Sequence, residues 1–265
     1  MALKIALITG GAGDIGRALA AKLSESHSHV ILVDLDPAKL ITAIASLSSS
    51  SSSCTFSGET CDVTDAQQVA LLAQRVGSSP GDISTLVSNA GGTSAWSMQS
   101  MTPAAWRSET SLNLDAHFLV FHSFQDALKR TRGCVVNIAS VNGLAIYGNP
   151  AYSAAKAGLI HLTRSIAVEY GKFGIRANAI APGSVQTAAW EERAKINPDV
   201  FKDAAQWYPL GRITLPQDVA NAAAFLSSEQ AAAISGVCLP VDCGLSAGHA
   251  AIAKTITQSE DFDAA

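Results

Sequence analysis

Seven apolar runs of strand length, separated by segments with helical periodicity, limit what this chain can fold into more than any other feature. They are Ile5 to Thr9, Val30 to Asp34, Thr55 to Cys61, Thr85 to Asn89, Val135 to Ser140, Ala177 to Ala181 and Val237 to Val241, the third being the weakest. Continuous apolar runs belong to strands buried on both faces, and strands alternating with helices need crossover connections. The pattern therefore predicts an α/β fold: one Rossmann-type, doubly wound domain with a seven-stranded parallel sheet and helices on both faces. Ligands are expected at the carboxyl edge of the strands, where the strand order reverses.

With 265 residues, 48% of them apolar and 15% charged, the chain can bury one large core without dividing. A single domain is expected over 1–248, followed by a tail at 249–265 that is alanine-rich and then acidic, either frayed or packed on a neighbouring subunit. Helix starts are marked by Pro37, by Thr102-Pro103 and by Pro216, while Pro150 to Lys172 reads as one long helix. Residues 46–53, seven serines and one leucine, read as a flexible loop.

The same composition excludes several classes. The net charge is −4, from 22 acidic and 18 basic residues with no basic block, so nucleic-acid binding is not expected. No run of about 18 apolar residues is available to span a bilayer, so no membrane partner is expected. Strand-like sequence from Lys4 leaves no room for a cleaved signal, and a cytoplasmic location is expected. Five cysteines without paired spacing read as reduced thiols. No metal is expected: His27 and His29 read as solvated turn residues, and His117 and His122 as packing residues.

The segment Thr9-Gly10-Gly11-Ala12-Gly13-Asp14-Ile15-Gly16 links the first strand to a helix whose N-terminus can face a pyrophosphate. Glycines allow close backbone approach. Asp34 ends the second strand, where a carboxylate accepts hydrogen bonds from the adenosine ribose and repels a 2′-phosphate. Leu35 and Asp36 add no cation and Asp14 adds another negative group, so NAD is the expected cofactor.

Further along stand Asp62-Val63, Asn89-Ala90-Gly91, Asn113, Ser140, Tyr152-Ser153-Ala154-Ala155-Lys156, Pro182-Gly183 with Val185 and Thr187, and Val241-Asp242-Cys243-Gly244. In this order and spacing they resemble the short-chain dehydrogenase/reductase family from Thr9 to about Gly248. The chain departs from the family pattern at Asp14 and at Cys243, each of which stands where a glycine is usual. The aspartate is expected to tolerate a left-handed turn.

The resemblance implies a nicotinamide cofactor held by Gly10, Gly13, Asp14, Ile15, Gly16, Asp34, Leu35, Asp62, Val63, Asn89, Ala90, Gly91, Tyr152, Lys156, Pro182, Gly183, Val185 and Thr187. It implies catalysis by Asn113, Ser140, Tyr152 and Lys156. Positions four apart on a helix share a face, so Lys156 can lie near the Tyr152 oxygen, and Lys156 and the oxidised nicotinamide, both positive, are together expected to favour its phenolate. Tyr152 is then the proton acceptor in alcohol oxidation, and Ser140 holds the substrate oxygen.

Substrate contacts are expected from Trp96, Ser140, Asn142, Tyr152 and Trp190. This mixture suits a small alcohol or carbonyl such as a sugar, polyol or other hydroxylated ring, with a hydrophobic cyclic ketone or steroid-like alcohol as the alternative. Glu191 and Glu192 weigh against an anionic substrate. A non-catalytic NAD-binding sensor is the rival from another class. The family further implies a homotetramer or homodimer built on the long helices.

Overall fold

The computed structural model describes residues 4–50, 53–77 and 81–262. Its strands are β1 (Ile5–Thr9), β2 (His29–Asp34), β3 (Thr55–Thr60), β4 (Ile83–Ser88), β5 (Cys134–Ile138), β6 (Arg176–Pro182) and β7 (Cys238–Val241). They form one sheet in the order β3-β2-β1-β4-β5-β6-β7, parallel at every pairing. The order reverses between β1 and β4, so their carboxyl ends open a crevice.

Alternate strand residues feed two cores. Ala6, Ile8, Val30 and Leu32 pack under the helices α1 (Asp14–Leu23), α2 (Pro37–Ser50) and α9 (Pro216–Ser227). Ile5, Leu7, Ile31 and Val33 pack against α3 (Ala66–Gly77), α5 (Ala116–Thr131) and α6 (Pro150–Tyr170). A side-chain period of two places both sets on one strand, which explains the unbroken apolar runs.

Helix starts follow the local chemistry. Proline stands at N1 of α6 and α9, and the Thr102 hydroxyl accepts from Ala105 N at 3.2 Å to cap α4 (Pro103–Thr110). The α6 helix stops at Tyr170, and a 3₁₀ turn covers Gly171–Phe173, a little short of the single helix read to Lys172.

Two expectations are corrected, for the serine-rich segment and for the His27–His29 pair. Residues 46–50 of the serine-rich segment are helical, as the end of α2. Leu47 anchors that turn in the core, and the Ser49 and Ser50 hydroxyls donate to Ser46 O at 2.7 and 3.1 Å. Residues 51 and 52 lie outside the described residues. His27 is 7% exposed and not solvated: its Nε2 meets Thr85 Oγ1 at 2.9 Å, and its Nδ1 meets Leu23 O at 3.0 Å. Burial lowers its pKa. His29 opens β2 and bonds Ser57 Oγ at 2.7 Å. The tail forms a helix, α10 (Ala250–Thr257), and His249 and Ile252 join the wall of the cleft described below.

Candidate active site

Two adjoining clefts open at the carboxyl edge. One, of about 420 Å³, runs from the β1–α1 loop past the ends of β2 and β3 to the end of β4. Gly10 takes φ +62° there, and Asn89 Nδ2 donates to the Thr9 and Gly10 carbonyls at 3.1 Å each, locking the loop against β4. A Cβ at Gly10 would sit 3.0 Å from Ala90 Cα, and one at Gly16 would overlap the Gly10 carbonyl oxygen. At Gly10 and Gly16 the loop is thus bare backbone with no room for a side chain, as a pyrophosphate site at a helix N-terminus requires.

Asp14 is not in a left-handed turn. It is the first residue of α1, behind the extended N-cap Gly13. Gly10 takes the left-handed position, so no aspartate tolerance is needed. The Asp14 carboxylate pairs with Arg17 and accepts from Ala188 N at 2.7 Å. It ties the glycine loop to α7 (Ala188–Ile196).

The structure brings Gly10, Gly13, Asp14, Ile15 and Gly16 to this cleft, together with Asp34 and Leu35. Asp62, Val63, Asn89, Ala90, Gly91 and Thr187 line it as well. Asp34 Oδ2 accepts from Ala12 N at 3.1 Å and Oδ1 from Asp36 N at 3.3 Å, which fixes the carboxylate at the groove. Lys39 pairs with Asp36 at 3.8 Å and is not on the groove wall. Val33, Cys61, Leu112 and Ala189 also line it, unforeseen from sequence. Pro182 and Val185 lie behind the walls, and Gly183 lines the second cleft.

That second cleft, about 900 Å³, is bounded by Trp96, Ser140, Asn142, Tyr152 and Trp190, all five expected, and by Ile146, Tyr147, Trp207, Tyr208, Leu245 and Ile252. Ser140 follows β5 and caps a 3₁₀ turn, accepting from Asn142 N at 3.2 Å. Asn142 Nδ2 is held by Gly148 O at 3.0 Å and Ser153 Oγ at 3.1 Å, so it positions the Ser140 hydroxyl.

Lys156 lies fully inside, 2% exposed. Its Nζ donates to Ile138 O at 2.8 Å and lies 5.6 Å from the Tyr152 ring centre. Burial lowers its pKa to about 7. In the protein without cofactor the Tyr152 pKa lies above the ordinary tyrosine value. Burial raises its pKa, the nearby Ser140 hydroxyl draws it back, and the Glu109 charge raises it further. Desolvation disfavours the charged form of both groups.

Asn113 sits in a π-helical turn (Ser111–Asp115) between α4 and α5. Its Oδ1 accepts from Gly92 N at 3.1 Å, and its Nδ2 donates to Gly92 O at 2.8 Å and Glu109 O at 2.9 Å. A Cβ on Gly91 would lie 2.8 Å from Asn113 Oδ1 and 3.3 Å from Lys156 Nζ, so Gly91 separates this polar pair from the first cleft. Sequence reasoning missed Glu109. It is 5% exposed, and its Oε1 accepts from Thr93 Oγ1, Ser94 N and Ala95 N at 2.8–2.9 Å, fixing the loop that carries Trp96.

Residues 10–246 match a family profile described as enoyl-(acyl carrier protein) reductase. An uncharacterized oxidoreductase of Schizosaccharomyces pombe is 38% identical over 256 residues, covering 96% of this chain and 95% of that protein. A solved Burkholderia thailandensis oxidoreductase, titled as a member of the short chain dehydrogenase/reductase family, is 39% identical with a TM-score of 0.90, covering 98% and 99% of the two chains. This chain is a short-chain dehydrogenase/reductase.

As a short-chain dehydrogenase/reductase it is an oxidoreductase of alcohols and carbonyls that binds a nicotinamide cofactor. The cis-4-hydroxycyclohexanecarboxylate dehydrogenase of Sinomonas cyclohexanicum is 35% identical over 247 residues, 92% of this chain and 97% of that protein. Solved relatives carry either cofactor form: an NAD+-bound xylitol dehydrogenase (26% identity, 91% and 98% coverage, TM-score 0.84) and an actinorhodin polyketide ketoreductase with NADPH (29%, 92% and 99%, 0.85). Among the described residues no helix is long and apolar enough to cross a membrane, and no cluster of metal-ligating side chains occurs.

Proposed function

We propose that the protein oxidises a secondary alcohol on a ring, or reduces the matching ketone, with NAD(H), and that Tyr152, Ser140, Lys156 and Asn113 carry the proton chemistry. The observation that carries this reading is Tyr152 and Ser140 together on the wall of an aromatic cleft beside a glycine cradle, with Lys156 and Asn113 buried behind them. Indole walls at Trp96 and Trp190, with Ile146, Trp207, Leu245 and Ile252, suit the apolar part of a ring, and Thr93, Asn149, Ser184, Arg193 and His249 add polar groups for its substituents.

The bound cofactor supplies the hydride acceptor and, when oxidised, a positive charge. In the oxidation direction the Tyr152 phenolate would accept the hydroxyl proton and become the phenol, while the carbinol hydride would pass to a nicotinamide held along the glycine cradle and Asp34, leaving the ketone. Because burial raises its pKa, Tyr152 stays protonated in the protein alone and needs an added positive neighbour to ionise. Ser140, oriented by Asn142, donates to the substrate oxygen as charge develops. Lys156 and Asn113 continue the polar path inward from Tyr152. Enoyl reduction, suggested by the name of the matching profile, is the second reading.

NAD rather than NADP is favoured by the fixed Asp34 carboxylate, by Leu35 and by the absence of a lysine or arginine from the groove wall among the described residues. Homotetramer or homodimer assembly through α5 and α6 fits the exposed Phe118 and Val168. The test is initial-rate kinetics with NAD+ and NADP+ on cyclohexanols, polyols and pentoses, beside an enoyl thioester with NADH. Fastest turnover of ring alcohols with NAD+ is expected, and turnover of the enoyl thioester alone would replace this reading with the second.

A further inference from the structure

Arg193 is the one lysine or arginine on the wall of the substrate cleft, and no aspartate or glutamate lines it among the described residues. Its guanidinium lies 5.5 Å from the Trp96 ring centre and 4.9 Å from that of Trp190. No carboxylate lies within ion-pair distance of it among the described residues, whereas Arg17, Arg75, Arg130 and Arg212 each have an acidic partner. The two acids expected to repel an anion are engaged elsewhere. Glu191 accepts from Gln186 Nε2 at 3.0 Å on the wall of a different cavity, and Glu192 pairs with Lys195 at 2.6 Å.

We propose that Arg193 is an anion subsite of this cleft and that the substrate is a ring alcohol bearing a carboxylate. The proposal rests on the ring-alcohol reading above and narrows it. Ring faces hold a guanidinium through its π surface and leave its in-plane N–H donors unspent. Those donors match a carboxylate in bidentate geometry. Trp96 comes from the loop fixed by Glu109, and Asn149 fastens the same loop by donating from Nδ2 to Ala95 O at 2.9 Å. Trp190 and Arg193 come from α7, so the stack spans the β4–α4 loop and α7, and a bound carboxylate sits where those two walls meet.

The experiment compares wild type, Arg193→Ala and Arg193→Lys on 4-hydroxycyclohexanecarboxylate and on cyclohexanol with saturating NAD+. In parallel, tryptophan fluorescence of the NAD+-saturated protein is titrated with unreactive cyclohexanecarboxylate and with cyclohexanemethanol. Arg193→Ala is expected to raise KM for the carboxylate 10- to 100-fold and leave that for cyclohexanol within about twofold, with Arg193→Lys between. The fluorescence change on adding the carboxylate is expected to saturate in wild type and vanish in Arg193→Ala. Equal KM increases for both substrates would overturn the subsite and leave Arg193 as a clasp between two walls. Turnover of neither alcohol, with Arg193-dependent carboxylate binding intact, would overturn the ring-alcohol reading and keep the subsite.

Discussion

Replacing Lys156 by methionine separates what this residue costs the fold from what it gives the site. Burial moves its pKa from 10.5 to about 7. Each pKa unit corresponds to about 1.4 kcal/mol between protonation states, so at pH 7 the buried amine costs about 4 kcal/mol relative to an unperturbed lysine. Methionine has similar length and no charge, but it gives up the hydrogen bond to Ile138 O, which offsets about 1 kcal/mol. Lys156→Met is therefore expected to gain about 2–4 kcal/mol of stability at pH 7 and to lose turnover by orders of magnitude.

The sign fixes the pH dependence. A lysine whose folded pKa is depressed is protonated in the unfolded chain and neutral in the folded one between pH 7 and 10.5. The unfolded state binds more protons across that window, so wild-type stability from this residue rises with pH and the advantage of the variant shrinks towards pH 10.5. Below pH 7 the folded amine is itself charged and the full penalty stands. Urea unfolding followed by circular dichroism, at matched protein concentration and at pH 7 and 10, measures the gap. A variant less stable than wild type at pH 7, or a gap that widens with pH, would refute the burial penalty.

Asp34→Ser removes the fixed negative charge from the wall of the first cleft, and on the proposed NAD reading kcat/KM with NADP+ is expected to rise about 10- to 100-fold relative to NAD+, read in paired initial-rate assays. Glu109→Gln keeps an acceptor for the loop bonds but removes a charge that raises the Tyr152 pKa, so the acid limb of the oxidation profile is expected to move to lower pH. An unmoved limb in the pH–rate profile would count against that coupling. Cys243 adopts φ +52°, and Cys243→Gly is expected to stabilise the chain by about 0.5–1 kcal/mol in urea unfolding, since glycine takes that conformation without a Cβ clash.

The fold could be read in the sequence because strands buried on both faces leave unbroken apolar runs, as at β1, β2 and β5. Where the reading failed, a tertiary contact overrode local composition. Leu47 turned part of a serine tract into a helical turn, and Thr85, from a strand 58 residues away, drew His27 inside. Which residues meet at the two clefts was legible from motif order, but their energetics were not. Nothing in Tyr152-Ser153-Ala154-Ala155-Lys156 says that burial disfavours the charge on both groups, and Glu109 looks like any helix-surface acid until the Thr93–Ala95 loop folds over it.

The most direct test of hydride transfer is a single-turnover reaction of the wild type with NAD+ and cyclohexanol deuterated at the carbinol carbon, with the nicotinamide product analysed by mass spectrometry. Deuterium in the reduced nicotinamide and its loss in Tyr152→Phe, with NAD+ binding preserved, are expected. Reduced nicotinamide without deuterium, or undiminished transfer in Tyr152→Phe, would contradict the proposed chemistry.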